Sequence, residues 1–208
     1  MDRPWQRYGE PTRQGGHSNT PALKVLCSLL LLLALVGAAP PNDVVEWNAS
    51  RPLQWTDFQG RVPEHSEHAA LTYCSTRSNN VFLDRERVSY EVISVVVKSK
   101  SWVRAEQKGN AALLDHERLH FDIAECSARS LRRELQLSRV SINECNHRLQ
   151  LLRDSISSAW SRTQSQYDLE TSHGTIAKEQ ARWAKKIAHT LDSLSAYSEP
   201  RFVVALKP

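Results

Sequence analysis

The sequence has no basic surplus of any size, no apolar run long enough to span a bilayer, and few cysteines. Its 27 Lys and Arg stand against 23 Asp and Glu. Arg3, Arg7, Arg13 and Lys24 against Asp2 and Glu10 put half of that +4 in the first 40 residues, leaving 23 basic and 21 acidic residues beyond. A phosphate backbone calls for a basic stripe, and none is present, so nucleic acid is excluded as a partner. A mean hydropathy of -0.49 excludes a polytopic membrane protein. Gly and Pro are missing throughout the stretch between Gly109 and Gly174, so nothing there breaks a helix.

The one apolar run is Val25 to Val36 (VLCSLLLLLALV), preceded by Lys24 and followed by Gly37-Ala38-Ala39-Pro40-Pro41. It is well short of the ~20 residues of a spanning helix and has the make-up of an export signal. Residues 1–40 therefore read as a signal peptide or signal anchor, and 41–208 as the working domain. The expected location is periplasmic or secreted, with membrane contact only through an uncleaved residue 25–39 segment. Cys74, Cys126 and Cys145 remain after the leader. In an oxidising compartment Cys126 and Cys145, on adjacent helical segments, are the first candidates for a disulfide, with buried free thiols as the alternative.

Val, Ile, Tyr and Thr dominate Ala69–Thr76, Asn80–Leu83 and above all Arg87–Val97, which read as strands. Turn signals lie at Ser78-Asn79-Asn80 and Asp84-Arg85-Glu86. The composition then turns to Leu, Ala, Arg and Glu. Asn110 caps a helix running to about Leu137, a second spans about Ile142 to Tyr167, and a third follows Gly174 with Thr175 as its cap. The fold class is α+β: a small N-terminal antiparallel sheet followed by three helices.

The first helix holds His116-Glu117-Arg118-Leu119-His120. Successive residues turn about 100°, so His116 and His120 lie within about 40° of each other on one face, and Glu117 borders it. Two imidazoles one turn apart can bind Zn²⁺, and a neighbouring carboxylate can take a proton from a water in an open coordination position. With 8 His and 14 Glu in 208 residues, a chain of this composition holds about 0.02 His-Glu-x-x-His matches by chance. Asp122 and Glu125 fall about 240° and 180° from His116, so they face away and anchor the back of the helix.

The third ligand is sought in Tyr167-Asp168-Leu169-Glu170-Thr171-Ser172-His173-Gly174. His173, in a loop beside glycine, is the first choice. Asp168 is the rival, or the carboxylate that orients an imidazole. Tyr167 is a candidate hydrogen-bond donor to a developing oxyanion, with core packing as the plain alternative. His65 and His68 sit in a polar loop, and His147 and His189 on helix surfaces.

Four segments, over about residues 44–190, resemble a known group. They are Pro52 to Gly60 (PLQWTDFQG); Ser101-Trp102-Val103; Leu113 to Glu125 around the two histidines; and Tyr167-Asp168 through Thr171 to His173-Gly174, with Gln180 and Trp183. Together they resemble the bacterial proteins described as predicted secreted zinc-dependent proteases, a zincin-like group. The resemblance implies a secreted or periplasmic zinc metallopeptidase. Joined to the reading of the residues, the expectation is a peptidase acting on peptides or proteins, with His116, His120 and His173 on zinc, and Glu117 and Tyr167 as the candidate catalytic residues. Two other classes stay open: a zinc amidase acting on cell-wall peptide, and a zinc-stabilised binding module of the envelope without catalysis.

Overall fold

The computed structural model describes residues 43–207. The expected export segment lies outside the described residues, as do His17 and Cys27. Among the described residues no helix is long and apolar enough to cross a membrane.

The chain builds strands β1 (Val44–Glu46), β2 (Ala70–Leu71), β3 (Cys74–Phe82), β4 (Arg87–Val97) and β5 (Trp102–Val103). Three helices follow, α1 (Ala111–Leu137), α2 (Cys145–Thr171) and α3 (Ala177–Ser193), and a last strand β6 (Arg201–Ala205). The class is α+β, with most of the sheet ahead of the helices. β4 is the spine of an antiparallel sheet. It pairs with β3 on one side, from Cys74↔Val96 to Phe82↔Val88, and with β1 and β6 end to end on the other. β2 and β5 form a separate two-stranded ladder. Period-two alternation turns Val88, Tyr90 and Val92 inward against Leu131 and Leu135 of α1. The other end of α1 packs on Val45, Leu53, Phe58 and Val103 through Leu114, Phe121 and Ala124. Its remaining face meets Tyr167, Trp183 and Ile187 of α2 and α3. The helix carrying the two histidines is thus surrounded by core and held in place from three directions.

α1 follows the expected bounds, with the Asn110 side chain accepting from Leu113 N. Charged groups on its back face lock it to the sheet. Glu125, 2% exposed, accepts from Arg129 at 3.0 Å, Arg132 at 2.8 Å and Ser94 Oγ at 2.6 Å. Asp122 accepts from Trp47 Nε1 at 2.8 Å, and burial raises its pKa.

Several expectations are corrected. Ser78-Asn79-Asn80 is strand and not turn, because register with the eleven-residue β4 overrides the weak strand preference of Ser and Asn. The Ala69–Thr76 run is split between β2 and β3. β6 was unexpected; it returns to β4, where Phe202 stacks on Tyr90 and Val204 enters the core. The three cysteines of the described domain are free. Cys126 packs on the α3 side near Ile187, whereas Cys145 joins the cluster around Tyr90, so no disulfide joins them. Finally α2 continues through Thr171, four residues past its expected end.

Candidate metal centre

The extra turn of α2 changes which residues meet the two histidines. Gln164, Tyr167, Asp168 and Thr171 are spaced by three and four, so they share a helix face, and that face looks at α1. His116 Nε2 lies 3.1 Å from Asp168 Oδ1, His120 Nε2 lies 3.0 Å from the same oxygen, and the two Nε2 atoms are 3.1 Å apart. These three residues are the compact group of metal-ligating atoms among the described residues.

Two glutamines set the imidazole tautomers. Gln164 Nε2 donates to His120 O at 2.9 Å, which turns its Oε1 to His120 Nδ1 at 2.5 Å. Gln180 Oε1 accepts from Tyr167 Oη at 2.8 Å and meets His116 Nδ1 at 3.3 Å. An amide oxygen can only accept, so each Nδ1 carries the proton and each Nε2 presents a lone pair. Two lone pairs and a carboxylate oxygen thus face one another, an arrangement that calls for positive charge between them. A proton also answers this arrangement: burial works against protonation of His120, but hydrogen bonding of the protonated ring to Asp168 and the charges of Glu117 and Asp168 outweigh it, so its pKa is raised. Burial likewise opposes ionisation of Asp168, and hydrogen bonds and charge from His116 and His120 prevail, holding its carboxyl well below the usual range.

The donor set fits zinc. Donors about 2.0–2.1 Å from a tetrahedral Zn²⁺ stand about 3.3 Å from one another, close to the 3.0–3.1 Å edges of this triangle. Two imidazoles and one carboxylate leave a fourth position, as in catalytic rather than structural sites.

Glu117, 4% exposed, accepts from Thr72 Oγ1 at 2.5 Å. It lines a cavity of about 940 Å³ together with His116, His120 and Asp168. His173, the expected third ligand, is also on that wall, but its Nδ1 is 3.6 Å from Asp168 Oδ1 and its side chain is 58% exposed. The reason is local: Asp168 projects from the helix, whereas His173 lies beyond its left-handed end. Tyr167, expected to face substrate, is fully buried, stacked on the His116 ring, and directs its hydroxyl to Gln180 and His116 O. It braces the His116 ring from behind and does not line the cavity.

The turn after α2 is shaped by the site. Ser172, His173 and Gly174 have φ of 47°, 53° and 82° in succession. A Cβ on Gly174 would come within 2.8 Å of His116 Cβ and 2.9 Å of its Cγ, so only glycine lets the turn close on that ring. Gln164 and Thr72 were not anticipated from the sequence. The i, i+4 spacing of Gln164 to Asp168 is a readable signal for the first; nothing local marks the second.

A family model described as bacterial protein of unknown function (DUF922) matches residues 55–174, more than half of the chain. The chain belongs to this family. The DUF922 match begins at Trp55, takes in α1 whole and ends at Gly174, so it encloses the cluster, Glu117 and His173. Its description names no reaction, and no curated protein or solved structure is detectably similar.

Proposed function

We propose that this DUF922 protein is a zinc-dependent metallopeptidase working outside the cytoplasm, with His116, His120 and Asp168 as ligands and Glu117 as general base. One observation carries the reading: three ligand atoms converge at the wall of a large cavity with a buried carboxylate on the next residue. A metal serving only the fold has no use for an adjacent carboxylate or an open cleft. When bound, the ion supplies Lewis-acid polarisation of a carbonyl and a lowered pKa for water.

The chain's own residues do the rest. Thr72 spends its hydroxyl on one Glu117 oxygen, leaving the other to accept a proton from water. Gln164 and Gln180 keep both imidazoles in the ligating tautomer. The cleft also suits an extended chain. Arg104 N donates to Ala69 O, so Ala69 and Leu71 exchange bonds with β5, and the peptide groups of Ala70 point to the side that β5 does not cover. Residues 67–74 line the cavity, and a peptide can pair there with main-chain bonds. Export rests on the Lys24-flanked apolar run of residues 25–36.

The test compares the zinc-loaded chain with Glu117→Gln on a mixed peptide library. The variant should keep its zinc and fold and lose about 10²–10⁴-fold in kcat. Equal hydrolysis by both proteins, or none by the wild type, sinks the peptidase reading; zinc retention without any turnover favours a binding module.

A further inference from the structure

We propose that His173 is the group that stabilises the negatively charged oxygen formed during peptide hydrolysis, a catalytic residue that donates to substrate and does not bind the metal. The proposal rests on the hydrolytic reading above. Three observations point to it.

Position comes first. His173 lines the cavity beside the triad, yet its Nδ1 stands 3.6 Å from Asp168 Oδ1, beyond hydrogen-bond range, and the side chain is 58% exposed against 3% for His116. Its ring therefore remains free to donate. Neighbouring donors are committed: Thr72 to Glu117, Gln164 to His120 O, and Tyr167 to Gln180 and His116 O. The second observation is strain. Two successive non-glycine residues, Ser172 and His173, hold φ of 47° and 53°, each at a cost of order 1 kcal/mol or more. That turn brings Gly174 against the His116 ring and sets His173 beside Asp168 in one movement. Third, the His68 ring, which also lines the cavity, meets the His173 ring edge-on at 5.2 Å and restrains it there.

The water oxygen bonds to the carbonyl carbon while Glu117 takes its proton, and the C=O π pair moves onto oxygen. His173 N–H hydrogen-bonds that oxygen and keeps its own proton. On collapse the C=O re-forms, the C–N bond breaks, and the proton on Glu117 passes to the amine nitrogen. Peptide and water give acid and amine.

The experiment uses the full zinc-loaded chain with peptide substrates and with a peptide phosphinate, whose anionic oxygen mimics the charged state. His173→Ala should retain zinc, lose about 10²–10³-fold in kcat with KM within about threefold, and weaken phosphinate binding by a factor similar to the kcat loss. His173→Asn, which accepts the left-handed backbone and keeps an N–H donor, should recover about tenfold over Ala. An Ala variant within about threefold of wild type in kcat and phosphinate affinity overturns the proposal. So does zinc loss equal to that of Asp168→Ala, which would make His173 a ligand. If the wild type hydrolyses nothing, the peptidase reading falls first, and phosphinate affinity still reports on His173 independently.

Discussion

Gly174→Ala is the substitution whose cost is most fully set by the structure. Two penalties apply. At φ 82° an L side chain is strained by about 1–2 kcal/mol. The new methyl also meets His116 Cβ at 2.8 Å, Cγ at 2.9 Å and Nδ1 at 3.1 Å, an overpacking of about 1–3 kcal/mol if the ring holds its place. His116 is clamped by Tyr167 behind it and by Gln180 at Nδ1, so it has little room to yield. If it does yield, the second penalty moves from stability to metal affinity, where about 1.4 kcal/mol is a tenfold change in Kd. Urea unfolding of the metal-free chain, together with competition against a chromophoric chelator, captures both parts. The loss in unfolding free energy and the loss in zinc-binding free energy should add to about 2–5 kcal/mol. Both values within about 0.5 kcal/mol of wild type would refute the reasoning that this turn is fitted to the His116 ring.

Removing either amide behind the ligands should loosen the metal without unfolding the protein. Gln164→Leu and Gln180→Leu are each expected to lower zinc affinity about 10–100-fold by chelator competition. Glu125→Ala should leave Arg129 and Arg132 buried without their carboxylate and destabilise the chain by about 3–5 kcal/mol in denaturant titrations. An unchanged unfolding midpoint would show that the network is not holding α1 to the sheet.

Much of this architecture was readable from the residues. The α1 bounds followed from the Asn110 cap and an uninterrupted apolar period, and the backward-facing Asp122 and Glu125 from helix geometry alone. β4 was plain in its run of Val, Ile and Tyr. What escaped were features decided at a distance. β6, a short Phe-Val-Val segment after Pro200, has meaning only once β4 offers it an edge. The choice between Asp168 and His173 turned on where α2 stops. With the helix ended at Tyr167 both residues sat in one loop; with it carried to Thr171, Asp168 shares a face with Gln164 and Tyr167 and meets both imidazoles. Tyr167, read as a donor toward the cleft or as core, lies buried against the His116 ring, since sequence does not tell the two sides of an imidazole apart.

Zinc stoichiometry across a small set of variants tests the centre most directly. The purified full chain should bind one equivalent of Zn²⁺, retained by Glu117→Gln and His173→Ala and reduced to a fraction by His116→Ala, His120→Ala and Asp168→Ala. Failure of the wild type to bind zinc, or full retention by Asp168→Ala with loss in His173→Ala, would contradict the account.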